Sequence, residues 1–235
     1  MELIINHLSK KFGKKIILDQ ADFTFEKGKI YVLLGRNGSG KTTFFNCING
    51  DLAVDSGDIT LSSEENTRPV SFEDISYVIS TPTVPSFLTG REFLSFFMSI
   101  NNKKIHFDKT ADQYLEMVGI KEEDRDTLLR DYSHGMKTKI QLLLSLISDT
   151  PVLLLDEPLT ALDVVAAEEM KDLLKKAKDG RIVIFSTHIM ELALTLADEI
   201  VLLHNHKLTS LPTEEADNEE RRQMILEALK EEENA

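Results

Sequence analysis

The chain has 235 residues, 42% of them hydrophobic, with a formal charge of −13 and a single cysteine, Cys47. This is enough chain for one sizeable domain, or a domain with a subdomain. It excludes an intramolecular disulfide framework, and no apolar run approaches the roughly 20 residues that span a bilayer. The acidic balance argues against a broad nucleic-acid-binding surface. The N-terminus lacks the basic, apolar and small-residue pattern of a secretory signal.

In chain order, residues 2–8 and 16–25 read as strands, and Ala21 to Phe25 alternates with a period of two, so one face is expected in solvent. Lys10 to Lys15 reads as a turn holding one aromatic, Phe12. The short apolar run Ile30 to Leu34 reads as a buried strand, and Thr43 to Ile48 as a helix start. A short strand is expected at Ile59–Leu61, a polar loop from Ser62 to Pro69, and a buried strand at Ile75–Ile79. Thr89-Gly90-Arg91-Glu92 fits a capping box, opening a helix with Phe93, Leu94, Phe96, Phe97 and Ile100 on a broad apolar face. Further helices are predicted over 108–118 and 124–129, which makes roughly 85–150 a helical insertion. Val152 to Leu155 is a buried strand ending in Asp156 and Glu157. A helix over 164–178, a buried strand at Ile182–Phe185, a helix near 189–197 and a strand at Glu199–His204 follow. Strands alternating with helices imply a parallel sheet covered on both faces. From Thr213 the tail is acidic; residues 214–235 hold nine acidic and three basic side chains. It has helical propensity and a thin apolar stripe at Met224, Ile225, Ala228 and Leu229.

Gly35-Arg36-Asn37-Gly38-Ser39-Gly40-Lys41-Thr42 fits the phosphate-binding pattern G-x-x-x-x-G-K-[S/T] between a predicted strand and a predicted helix. The glycines let successive backbone N–H groups turn toward phosphate oxygens, and the helix N-terminus adds partial positive charge. Lys41 is placed for the β- and γ-phosphates, Thr42 for Mg²⁺, and Thr43 as a second hydroxyl. Carboxylates at the end of a parallel strand face the crevice where open α/β sheets bind ligands. Asp156 therefore suits Mg²⁺ and Glu157 an attacking water. His188 follows a buried strand in the same way and can reach the γ-phosphate. Ser133 is a predicted helix N-cap, and its hydroxyl with the Gly135 amide makes an anion site.

Taken together and in this order, these motifs resemble those of the ATP-binding subunit of an ABC transporter, over about residues 1–210. Gly35 to Thr42 is similar to the Walker A loop and Val152 to Glu157 to the Walker B strand with its catalytic glutamate. Tyr132-Ser133-His134-Gly135-Met136 resembles the signature L-S-G-G-Q, Ala161-Leu162-Asp163 the D-loop, and His188 the switch histidine. Phe12 lies where the family stacks an aromatic on adenine. The resemblance implies an α/β P-loop NTPase core with a mostly parallel sheet, an N-terminal antiparallel β subdomain and the helical insertion; residues 211–235, beyond it, read as an acidic helical tail. It implies ATP and Mg²⁺ as ligands and ATP hydrolysis as the activity. Two chains, identical or not, would pack head-to-tail, with ATP between the loop of one and Ser133 and Gly135 of the other. A polytopic membrane permease, exporter-like, would be the other partner, holding the chain peripherally on the inner face of the cell membrane. Two departures stand out. Ser80 takes the place of the family's metal-sensing Gln, and the signature carries His134 and Met136 for Gly and Gln. The alternative is a soluble ABC-type ATPase acting on the ribosome or DNA. Such relatives carry two fused ATP-binding domains or a long coiled-coil insertion, and this chain has one P-loop and no sustained heptads. A non-hydrolysing regulator is the third reading, and Glu157 with His188 argues against it.

Overall fold

The computed structural model describes residues 1–160, 162–211 and 218–231. Strands β1 (Glu2–Phe12) and β2 (Lys15–Glu26) pair antiparallel around a tight turn, with Gly13 at φ 58. The turn expected over Lys10–Lys15 is thus shorter. Lys10 is buried on the strand, its ammonium 2.6 Å from the Ala53 carbonyl and 3.6 Å from Asp55, and β1 continues, with register shifts around Lys10, as far as Phe12. Ala21 and Phe25 are buried while Asp22 and Thr24 are exposed, as the alternation requires. β3 (Ile30–Leu34) is buried throughout and leads through the Gly-rich loop into α1 (Lys41–Asn49). β4 (Ser56–Ser62) and β5 (Thr67–Pro69) complete a four-stranded antiparallel sheet in the order β2-β1-β4-β5. The loop expected from Ser62 to Pro69 therefore holds a three-residue edge strand, whose exposed Thr-Arg-Pro composition gives no strand signal.

After β6 (Ile75–Val78) come α2 (Gly90–Asn101) and α3 (Ala111–Met117), each opened by a capping box, Thr89 with Glu92 and Thr110 with Gln113. No α-helix forms over 124–129. Instead two 3₁₀ turns, Glu122–Asp124 and Leu129–Asp131, flank a short turn, and Leu128 forms an antiparallel bridge to Thr89, the N-cap of α2. The Leu129 amide donates to the Leu88 carbonyl and the Tyr132 hydroxyl to the Asp124 carbonyl, so tertiary hydrogen bonds replace the helical ladder there. α4 (His134–Ile147) follows.

β7 (Val152–Asp156), α5 (Val164–Ala177), β8 (Ile182–Thr187), α6 (Met190–Leu196) and β9 (Glu199–His204) build the central sheet. β10 (Lys207–Leu211), which the sequence pattern does not signal, adds an antiparallel edge, giving the order β10-β9-β3-β8-β7-β6 with β9, β3, β8, β7 and β6 mutually parallel. Alternate residues of β3 serve two cores. Ile30, Val32 and Leu34 face the helices α4 to α6, whereas Tyr31 and Leu33 pack with Phe25, Phe44 and Phe45. α7 (Asn218–Glu231) packs on α6 and buries Ile225. The side chains of Ala228 and Leu229, and Ala161 of the Ala161-Leu162-Asp163 segment, lie outside the described residues, as does the tail's predicted start at Thr213. Among the described residues no helix is long and apolar enough to cross a membrane.

Candidate active site

The site lies at the C-terminal ends of β3, β7 and β8, where three parallel strands deliver polar groups after apolar runs. β3 ends at Leu34 and the chain curls back on itself. The Ser39 amide donates to the Arg36 carbonyl, and Gly38 and Gly40 take φ 81 and φ 111. A side chain at Gly40 would place Cβ 2.3 Å from Ile17 Cγ2, so close packing as well as the left-handed backbone demands glycine. Gly40 is the N-cap of α1 and supplies no side-chain cap, which leaves the first-turn amides to the cleft. Lys41 is buried with its ammonium 2.8 Å from the Gly35 carbonyl and 3.1 Å from that of Arg36. Burial lowers its pKa, while the charges of Glu157 and Asp156 oppose the shift. The buried Ser39 hydroxyl has no hydrogen-bond partner among the described residues. Such an orphan donor beside turned amides suits an anionic ligand.

β7 ends at Asp156, which is buried; one carboxylate oxygen accepts from Thr42 Oγ1 at 2.7 Å and the other from Ser186 Oγ at 2.5 Å. The strand stops there. Glu157 turns into the left-handed region at φ 52, and its amide donates to Ser186 at 3.2 Å. Its carboxylate meets His188 Nδ1 at 2.8 Å, and the other oxygen, Oε2, is buried without a partner among the described residues. Strand alternation alone would send Asp156 and Glu157 to opposite faces. The turn at Glu157 instead lets both line one cleft while touching different neighbours.

That cleft, of about 440 Å³, is lined by Phe12, Lys15, Ile17, Asn37, Gly38, Gly40, Lys41, Thr42, Thr43, Ser80, Asp156 and Glu157. Phe12 is 49% exposed at its rim, with the Lys10 ammonium 5.4 Å from the ring centroid. Gly35, Asn37 and His188 line an adjoining cavity with Ile225. Ser133 and Gly135 are not brought into the cleft. Ser133 caps α4, accepting from the Met136 amide at 3.2 Å. The residue that the motif reading missed is Ser186. Its one available signal was a hydroxyl that follows four apolar strand residues, two residues before His188. Cys47 is buried and its thiol pKa is pushed up to about 11 by burial, so it is inert packing.

A phosphate-binding loop after the first strand of the parallel sheet, facing a strand-end carboxylate pair, defines a P-loop NTPase. The ABC transporter family model matches residues 18–160. An ABC transporter ATP-binding protein of Bacillus subtilis strain 168, YdbJ, is 31% identical over 210 residues, covering 88% of this chain and 67% of that protein. The lantibiotic transport ATP-binding protein SrtF of Streptococcus pyogenes is 28% identical, covering 88% of each. The solved structure of an ATP-binding subunit of an ABC transporter superposes with TM-score 0.78 at 23% identity, covering 96% of this chain and 94% of that one. The chain belongs to the ABC transporter family and is an ATP-binding, ATP-hydrolysing subunit.

Proposed function

We propose that this ATPase works through the cleft between the Gly-rich loop and the Asp156–Glu157 strand end. The observation that carries the reading is the convergence of Lys41, Thr42, Asp156 and Glu157 on one cavity, with Thr42 and Asp156 in direct contact at 2.7 Å. Asn37, Gly38, Ser39, Gly40, Lys41 and Thr43 hold the phosphate chain by amides, ammonium and hydroxyls, and Gly35 sets the turn. Phe12 offers its exposed face to the adenine. The paired oxygens of Thr42 and Asp156 are hard ligands suited to Mg²⁺, with Ser80 on the same cleft wall. That ion, when bound, would neutralise phosphate charge. Glu157 takes the proton from the attacking water, and His188, bonded to it from the adjoining cavity, orients the carboxylate and would reach the γ-phosphate from that side.

Ser133 and Gly135 stand outside the cleft of their own chain, which supports a head-to-tail pair in which they close the site of a second ATP-binding subunit. ATP is then the adhesive, and hydrolysis opens the pair. Phe96 is 56% exposed on α2, Ile100 one turn on is exposed as well, and so is Phe87 before the helix; Leu94 of the same helix is buried. This apolar patch on the helical segment of about 85–150 fits a membrane permease as the second partner, and so a place on the inner face of the membrane. The Gly135-Met136 pair in the signature-like segment favours an exporter-like permease. On this division, 1–210 is the ATP-binding domain and 211–235 an acidic appendage. Nucleotide titration of Lys41→Ala tests the site. Tight ATP binding is expected to disappear with the fold intact, and parent-like affinity would overturn the assignment.

A further inference from the structure

We infer that Ser186 is a positioning residue that sets both carboxylates of the site, Asp156 and Glu157, through one buried hydroxyl. The inference rests on the roles given above to those two residues. Ser186 is fully buried in β8, between β3 and β7, opposite Leu33 on one side and Asp156 on the other. The four residues before it, Ile182 to Phe185, are apolar and buried. A hydroxyl in such a strand needs partners, and its partners here are the two acidic residues.

Ser186 Oγ donates to Asp156 Oδ1 at 2.5 Å. This occupies one carboxylate oxygen and turns the other, Oδ2, toward Thr42, so a single oxygen of Asp156 faces the loop. The same Oγ accepts from the Glu157 amide at 3.2 Å, and the Ser186 carbonyl accepts from that amide as well. Glu157 is a non-glycine residue at φ 52, a conformation that persists only where its surroundings hold it. The bond ties the turn to the sheet and so fixes where the Glu157 carboxylate meets His188. One hydroxyl, donating to Asp156 and accepting from the Glu157 amide, therefore aims the metal-side oxygen and the base-side backbone together. Removing it leaves the Glu157 amide its bond to the Ser186 carbonyl, so the chain path survives while both carboxylates gain freedom.

The test compares Ser186→Ala, Ser186→Thr and Ser186→Cys with the parent and with Glu157→Gln, reading kcat and KM for ATP, the Mg²⁺ concentration that half-saturates ATP binding, and thermal stability. Losing an outer partner of a ligating carboxylate typically costs about 10–100-fold. Ser186→Ala is expected to lower kcat by about that factor, to leave KM within a few-fold, and to raise the half-saturating Mg²⁺ several-fold. Ser186→Thr, which keeps the hydroxyl, is expected to recover most of both. Parent-like kcat and Mg²⁺ dependence in Ser186→Ala would overturn the inference. So would a loss of activity accompanied by lower thermal stability but unchanged Mg²⁺ dependence, which is the mark of packing alone. If Ser186→Ala does not fold, Ser186→Cys decides, because its thiol keeps the shape and is a weak donor. A folded Cys variant with reduced kcat and weaker Mg²⁺ response supports the inference, and a parent-like one overturns it. Glu157→Gln turning over at the parent rate would instead sink the site reading beneath it.

Discussion

Glu157→Gln separates binding from chemistry in the proposed mechanism. The structure sets what the change removes. Glu157 Oε1 lies 2.8 Å from His188 Nδ1, and a Gln carbonyl can keep that contact as acceptor. The side chain is 18% exposed and its backbone is held by Ser186, so an isosteric amide needs no rearrangement. What is lost is the basic oxygen, Oε2, which is buried and has no partner among the described residues. General-base assistance contributes about 10²–10⁴-fold, or roughly 3–5 kcal/mol of barrier. Phosphate release should fall by that factor. ATP affinity should hold or tighten, since one negative charge leaves the neighbourhood of Lys41 and the phosphates. With ATP joining two chains, the variant should accumulate as an ATP-dependent dimer by size-exclusion chromatography. Hydrolysis at the parent rate would refute the catalytic reasoning. An inactive variant that stays monomeric with Mg-ATP would instead remove dimerisation by this chain alone and leave a non-identical ATPase subunit, or the membrane partner, as the requirement.

Phe12→Ala should weaken ATP binding by about tenfold or less, because one stacked ring contributes on the order of 1 kcal/mol; unchanged affinity in a titration would take Phe12 out of the site. Asp74 accepts two hydrogen bonds from the Arg68 guanidinium at 2.6 Å each, and this pair, with the Ser71 amide and hydroxyl, lowers its pKa from 3.8 to about 2. A depressed carboxylate stabilises the fold above its unfolded pKa and loses that contribution as pH falls through the folded value. Asp74→Asn should therefore flatten the acid-unfolding curve between about pH 4 and pH 2, and a curve with the parent's slope there would contradict the pairing. Phe96→Ser should leave thermal stability within about 0.5 kcal/mol, as for surface positions generally, while weakening assembly with a co-expressed permease; a stable, fully assembling variant would count against the α2 patch as the docking face.

The Gly35–Thr42 loop and the Asp156–Glu157 pair were legible because each depends on local sequence, a short buried strand ending in a few fixed residue types. The buried strands β3, β7 and β8 and the capped helices α2 and α4 were legible for the same reason. What escaped depends on partners distant in the chain. Residues 124–129 include the helix formers Arg125, Leu128 and Leu129, yet the Arg125 carbonyl and the Leu129 amide bond to Arg91 and Leu88 at the α2 entrance, and propensity yielded to tertiary contacts. β5 and β10 are short edge strands whose existence is set by the neighbours they pair with. The hydroxyl of Ser186 after an apolar run was too slight a signal, because its significance is a register, Ser186 beside Asp156, that links strands 30 residues apart. That the strand ends and turns at Glu157 was expected, but its left-handed backbone was not, since a non-glycine left-handed residue has no composition signal.

The most direct measurement is an experimental structure of the Glu157→Gln protein with Mg-ATP. The account predicts the phosphate chain against the amides of Gly38 to Thr42, the metal on Thr42 and Asp156, the adenine on Phe12, and Ser133 of a second subunit facing the γ-phosphate. Nucleotide bound away from this cleft, or held there with Lys41 and Asp156 both turned from it, would contradict the account.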